Sequence, residues 1–352
     1  MTHRLLTILI STLLLCRCAG TVSFAGDETE STTLVQNQRF STQTAAVGES
    51  IGAAHDVSRQ QLVEPASQLS AIDVHNELPL STEHQCPCGQ YPHRFDCPRC
   101  SWSWQFLPDG LLYKSYLAGP KEARFASAWL HEEDRGWIWD ISLGGRVGIF
   151  RFGTPGAVNP DGWQLDIEGA AFPRLDSEED ADMESADFRF GVPITWSRGP
   201  LEMKLAYYHI SAHVGDEFLT RNPMFQRVNY VRDSALLGVA RHLTPDVRAY
   251  SEAAWAFNSD VAQPWEFQFG IEYSPRQCCG KRGSPYLAVN TQLFEEHDFG
   301  GSVNLMVGRQ WRGKDTDRLL RFGLQYFNGK SSQYAFYNEY EELLGFGLWF
   351  DY

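Results

Sequence analysis

From about residue 124 to residue 352 the chain alternates, one residue at a time, between apolar side chains and polar or small ones. In the run from Trp137 the apolar set is Trp137, Trp139, Ile141, Leu143, Val147 and Ile149, opposite Asp140, Ser142, Gly144, Arg146 and Gly148. From Trp163 the polar partners are Gln164, Asp166 and Glu168. From Trp265 the apolar set is Trp265, Phe267, Phe269, Ile271 and Tyr273, opposite Glu266, Gln268, Gly270 and Glu272. The final run sets Leu344, Phe346, Leu348, Phe350 and Tyr352 against Gly345, Gly347, Trp349 and Asp351. A period of two belongs to strands and not to helices, so each run has one greasy face and one wet or narrow face.

Twelve such runs begin near Arg124, Trp137, Asp161, Ala186, Pro200, Arg232, Pro245, Pro264, Pro285, Gly300, Arg318 and Leu343. The fold class expected is all-β: an antiparallel transmembrane β-barrel of twelve strands over residues 102–352, an even number as single-chain bacterial barrels have. Connection lengths agree with a barrel whose termini share one side. Ser197 to Gly199 and Thr244-Pro245 are short, whereas Arg174 to Glu184, His213 to Val231 and Asn328 to Glu342 are long and all fall on the other side. Asp134 to Gly136 and Pro275 to Ser284 depart from that pattern. The competing architecture is a soluble periplasmic β-sandwich acting as a binding module, with the apolar faces turned inward. Against it stand the aromatics at run ends (Trp137, Trp163, Trp196, Phe257, Trp265, Tyr273), where an interfacial girdle would lie. The chain also ends Phe350-Asp351-Tyr352, like the signal by which outer-membrane barrels reach their insertion machinery.

The preceding residues differ in kind. Residues 1–25 combine a basic start (His3, Arg4), an apolar stretch from Leu5 to Cys16 and a small-residue cleavage pattern at Ser23-Phe24-Ala25, the marks of a secretory signal. Residues 26–85 hold one aromatic, Phe40, and no sustained period, so they cannot bury enough apolar surface to order themselves. They are expected to form a flexible periplasmic segment, with the barrel in the outer membrane. A Cys-rich segment, 86–101, follows. Cys86, Cys88, Cys97 and Cys100, with His84 and His93 nearby, have the spacing of a tetrahedral zinc site. An exported chain favours disulfides instead, and Cys278 and Cys279 lie in a connection expected on the same side.

The stretch Trp104-Gln105-Phe106-Leu107-Pro108-Asp109-Gly110-Leu111-Leu112-Tyr113, with Ser115-Tyr116-Leu117-Ala118-Gly119-Pro120 after it, resembles the opening of the domain of unknown function 1207 family of exported bacterial proteins. Tyr208-His209-Ile210-Ser211-Ala212-His213-Val214-Gly215-Asp216-Glu217 resembles the same family, which would cover residues from about 102 to the end. The resemblance implies a membrane barrel and no established activity.

Three constellations carry chemistry. Strict alternation from Leu201 puts His209, Ser211 and His213 on the lipid side, where polar groups are costly without partners or a purpose. A base two residues from a hydroxyl can activate it, and Asp216, Glu217 or Asn222 would orient the base; the catalytic set is thus His209, Ser211 and Asp216. The pair resembles the His-x-Ser of outer-membrane phospholipase A and of the lipid A deacylases. It departs at Ala212, where the phospholipase has Asn. Alternatively a bulge turns these residues inward and exposes Ile210, Ala212 and Val214. Second, Asp176, Glu178, Glu179, Asp180, Asp182 and Glu184 crowd one expected loop, solvated or able to take calcium. Third, inward Arg146, Arg189, Arg248 and Arg321 face Asp140, Asp166, Glu252 and Glu272, either lining a channel or pairing across a plugged, narrow lumen.

A formal net charge of −14 argues against a nucleic-acid partner. The function classes left are a monomeric structural or solute-passing barrel without cofactor, and a phospholipid or lipid A acyl hydrolase. Outer-membrane lipid and the insertion machinery are the expected partners.

Overall fold

The computed structural model describes residues 101–276 and 282–352. The strands are β1 (Ser103–Phe106), β2 (Phe125–Glu132), β3 (Gly136–Gly153), β4 (Gly162–Asp176), β5 (Asp182–Arg198), β6 (Leu201–Val214), β7 (Val231–Thr244), β8 (Val247–Ser259), β9 (Trp265–Tyr273), β10 (Ser284–Phe294), β11 (Gly300–Arg312), β12 (Leu319–Lys330) and β13 (Tyr340–Asp351). One short helix, α1 (Asp216–Arg221), lies between β6 and β7. No described helix is long and apolar enough to cross a membrane, which is no constraint on a protein that crosses with strands.

β2 to β13 pair antiparallel, each with its neighbours in sequence, and β13 pairs with β2 from Leu344↔His131 to Phe350↔Phe125. That last ladder closes the sheet, giving a twelve-stranded barrel whose strands begin within four residues of the starts of the alternating runs. Closure removes free edges from the wall, as a spanning sheet requires. The apolar faces point outward: Leu205 is 57 % exposed and Leu237 52 %, whereas inward Arg151 and Arg321 are fully buried. A sandwich would bury those leucines. The outward apolar face therefore excludes the soluble alternative and marks a membrane-spanning barrel of the outer-membrane type.

Two local departures have physical causes. A bulge between Gly148 and Phe150 shifts the β3–β4 register, so Phe150 and Phe152 face outward and Arg151 inward, in place of an outward Ile149. The long acidic loop expected from Arg174 to Glu184 is a tight turn instead, because β4 runs to Asp176 and β5 starts at Asp182. Arg174 is held in the wall by Asp140 at 2.7 Å, and Glu184 by Arg135 at 2.5 Å. Elsewhere the turns are as short as expected. β5 and β6 join through Gly199-Pro200, with Gly199 at φ +60°, a conformation few side chains adopt.

The chain does not enter the barrel at β2. β1 pairs with the far end of β3, Ser103↔Gly153 to Phe106↔Phe150, and so supplies a short piece of wall. Residues 107–124 then turn into the lumen before emerging as β2, burying Leu111, Leu112, Tyr113, Tyr116 and Leu117. Four inward arginines of the wall, and Arg124 at the end of the plug itself, grip the main-chain carbonyls of this segment. Arg151 reaches Asp109 and Gly110, Arg248 reaches Lys114, Arg124 and Arg321 reach Leu117, and Arg189 reaches Lys121. The Tyr116 ring stacks on Tyr250 with centroids 3.7 Å apart and its hydroxyl donates to Glu252 at 2.8 Å. A glycine is needed beside them: a Cβ on Gly270 would lie 2.4 Å from the Tyr250 hydroxyl.

Two ends can be distinguished. The terminal end carries β1, the C-terminus and the two-residue turns 199–200 and 245–246; the distal end carries α1 and the longest connection, 215–230. At the distal end Ile210, Ala212 and Val214 pack with Tyr230 and Tyr334 from two connections and with Phe294 at the end of β10, Tyr230 being stacked on Tyr334 at 4.7 Å. Aromatic packing thus caps the mouth above the plug.

Candidate functional site

The lumen is occupied by matched charges. Arg146 pairs with Asp166 at 2.5 Å, Arg189 with Glu168 at 2.7 Å, Arg248 with Glu202 at 2.9 Å and Glu272 at 3.3 Å, and Arg321 with Asp351 at 2.7 Å. Buried ions survive only when paired and hydrogen-bonded, and these are. Cavities of ≈ 60, ≈ 60 and ≈ 20 Å³ lie between plug and wall, room for a few waters apiece. Of the two alternatives for the inward arginines, pairing across a plugged lumen is the one observed.

The polar exception is on the outside. β6 alternates without interruption and its register with β5 and β7 is continuous, so no bulge occurs. Ile210, Ala212 and Val214 are buried inward, and His209, Ser211 and His213 face outward. Pairing with β7 sets His209 opposite Asp233. The imidazole Nδ1 lies 2.9 Å from Asp233 Oδ1, the Tyr207 hydroxyl donates to that oxygen at 2.7 Å, and the Asn258 amide donates to Oδ2 at 2.8 Å. The carboxylate is thus held from three sides, and its bond to Nδ1 leaves Nε2 directed elsewhere as a base. Ser211 follows two residues on along the same face. Strand rise puts its Cβ about 7 Å from that of His209, within rotamer reach, although no hydrogen bond joins them.

Asp216 is not part of this cluster. It opens α1, exposed to solvent, and makes no bond to His209. Glu217 is likewise exposed on α1, and the Asn222 amide donates to the Phe218 carbonyl at 3.0 Å. The residue that orients the imidazole is Asp233, beyond the connection of residues 215–230. Alternation from Arg232 marks Asp233 as outward, but nothing local marks it as the residue opposite His209. Tyr207 and Asn258 were hidden for the same reason.

The cluster lies in the distal aromatic girdle: Tyr207 stacks on Phe257 at 6.2 Å and Phe257 meets Trp255 at 6.4 Å. Amphipathic rings mark the height at which acyl chains give way to head groups. Among the described residues no group of three or more His, Cys, Asp or Glu side chains is placed to hold a metal. Four of the six carboxylates of the acidic stretch are engaged singly: Asp176 accepts from the Glu178 amide, Glu178 from the Trp137 amide, Asp182 from Arg221 and Glu184 from Arg135. Cys86, Cys88, Cys97, Cys100, Cys278 and Cys279 lie outside the described residues.

Solved structures with a similar fold include the outer membrane phospholipase A from Escherichia coli, 13 % identical, covering 66 % of this chain and 91 % of that one with a TM-score of 0.43. The Salmonella typhi outer membrane phospholipase dimer with bound calcium is 12 % identical over 67 % and 93 % of the two chains, TM-score 0.45. The KdgM porin is 9 % identical over 64 % and 99 %, TM-score 0.37. At such identities the likeness extends to the barrel alone. No curated protein matches. The match that identifies the chain is to the model described as Protein of unknown function (DUF1207), over residues 67–352, more than half the sequence, and the chain belongs to that family.

Proposed function

We propose that this barrel is an acyl hydrolase of membrane lipid that works at its outer wall, with Ser211 as nucleophile, His209 as base and Asp233 as the acid that orients it. The observation that carries the proposal is the bond from Asp233 to His209 Nδ1 on the lipid-facing side, two residues from an outward hydroxyl. Polar side chains facing lipid are expensive, and three of them converging on one carboxylate is a costly way to decorate a wall. In the reaction Ser211 Oγ attacks an ester carbonyl while His209 Nε2 takes its proton. The imidazolium returns that proton to the leaving alkoxide, and water, deprotonated by the same nitrogen, releases the fatty acid from the serine. Asp233 keeps Nδ1 protonated and stabilises the imidazolium. The girdle height suits a lipid ester, whose carbonyls sit at that boundary in phospholipid and lipid A alike.

Solute passage finds less support, since plug, ion pairs and aromatic cap all occupy the path it would use. In this reading the chain is exported behind residues 1–25, β13 addresses it to the insertion machinery, and its terminal end faces the periplasm. The test is fatty-acid release from phosphatidylcholine or purified lipid A in mixed micelles by the full-length barrel. Ser211→Ala should abolish release with the heat-dependent gel mobility unchanged. Undiminished release by that variant, or none by the parent with either lipid, would sink the proposal.

A further inference from the structure

The two girdles differ in charge. At the terminal end four arginines point outward from the wall. Arg198 closes β5 beside Trp196 and Trp163, and Arg241 stands on β7 between exposed Val239 and Leu243. Arg309 lies on β11 two residues before exposed Trp311, and Arg318 leads into β12 within electrostatic reach of Tyr352. Each is within four residues of the end of its strand, so all four sit at the level of the terminal aromatics. No carboxylate faces outward from that half of the described wall: its other outward positions are apolar, aromatic, Ser or Pro.

The distal end has the opposite sign. Its connections (133–135, 177–181, 215–230, 260–264, 295–299 and 331–339) hold twelve carboxylates against three arginines. Its outward acids on the wall are Asp233 and Glu342, the latter accepting from Tyr326 at 2.8 Å, and its outward Lys330 donates to the Asn338 carbonyl. A protein with a net charge of −14 thus places a cationic, lipid-facing belt at one girdle only.

We infer that the Arg198–Arg241–Arg309–Arg318 belt is a docking surface for anionic phospholipid head groups in the leaflet that meets the terminal end. Charge complementarity and height select the occupant. A guanidinium offers paired N–H donors to phosphate oxygens, and one held at the girdle meets the head-group layer and not the acyl chains. A soluble partner would have to approach past lipid to reach these side chains. The belt stands apart from the proposed hydrolytic cluster, which lies in the opposite girdle.

The test reconstitutes the full-length barrel in phosphatidylcholine vesicles and in phosphatidylcholine with phosphatidylglycerol, at low and high salt. Two readouts serve: the composition of lipid that stays bound after detergent exchange, and the midpoint temperature of the heat-dependent mobility shift. The parent should retain phosphatidylglycerol with roughly fivefold or greater enrichment, and melt later in its presence, both effects shrinking at high salt. Changing all four arginines to Gln should abolish enrichment, whereas Arg221→Gln with Arg227→Gln in distal connections should preserve it. If the fourfold variant does not insert, Arg198→Gln with Arg241→Gln, both exposed, should halve the preference or better. Equal retention of both lipids by the parent, an enrichment indifferent to salt, or a fourfold variant that keeps it overturns the assignment. So does inorganic phosphate that raises the midpoint equally in phosphatidylcholine alone, which would make the belt a small-anion site.

Discussion

The two faces of the same strands follow opposite rules. Inside, buried charges are interleaved with tyrosine, glycine, alanine and a few larger apolar side chains such as Leu130 and Met306, and the polar groups answer one another or the plug: Asp351 lies between Arg124 at 3.0 Å and Arg321 at 2.7 Å. Outside, most positions are apolar and the charges are confined to the two girdles, where Asp233, unlike the other described outward acid Glu342, gathers three side-chain donors. The contrast shows where to look for function. An inward charge is the expected content of a closed barrel, whereas an outward one in lipid needs a reason.

That contrast can be broken by experiment. The largest effect should come from Asp233→Asn, which keeps the shape but loses the charge that orients His209; lipid hydrolysis should fall about 10²- to 10⁴-fold with the mobility shift intact. Fatty-acid release at the parental rate would return Asp233 to the status of a girdle residue. Next is Asp351→Asn, which leaves two buried guanidiniums without their carboxylate. A loss of roughly 3–5 kcal/mol is expected, seen as earlier unfolding in denaturant from micelles, with hydrolysis preserved below the transition. Should the two variants exchange phenotypes, the division between inner scaffold and outer chemistry is wrong.

Gly270→Ala sharpens the picture of the lumen as packed. Its Cβ would meet the Tyr250 hydroxyl and the Val289 carbonyl, and overpacking of that kind costs about 1–3 kcal/mol. An unchanged unfolding midpoint would mean that the plug has room to move. The smallest effect is set by pH at the terminal turn between β11 and β12. Burial pushes the Asp317 carboxyl up, but Lys114, Arg312 and Arg276 outweigh it and hold the group below its ordinary 3.8. A carboxylate depressed on folding contributes stability that is fully present above the unfolded value and is lost as pH falls through the folded one. The parent should therefore lose more stability below pH 3.8 than Asp317→Asn does, as read by denaturant titration in micelles. Parallel curves for the two would show that the turn contributes nothing.

Much of this was open to a reader of the chain alone. The runs from Trp163 and Trp265 face as their alternation predicts, and the closing strand presents Leu344, Phe346, Leu348 and Phe350 to the outside. The outward placement of His209 and Ser211 was legible for the same reason. The bulge at Gly148 was not, because an extra residue leaves the composition of a run unchanged while reversing the faces beyond it. The acidic turn was misjudged because charge alone does not distinguish a solvated loop from the ends of two strands whose arginines are elsewhere in the chain.

Period two is a local property, visible over a handful of residues, so the twelve strands of the closed barrel and, apart from the bulge at Gly148, the side chains that share a face could be read from the chain itself. Which residues meet across strands is a matter of register and of the path of the chain through space. It is the folded barrel that turns residues 107–124 back as the plug, lets Arg124 and Arg321 share Asp351, and stands Asp233 beside His209. Each of those contacts joins residues separated by connections or whole strands, and closing such distances is the work of the assembled barrel and not of any segment within it.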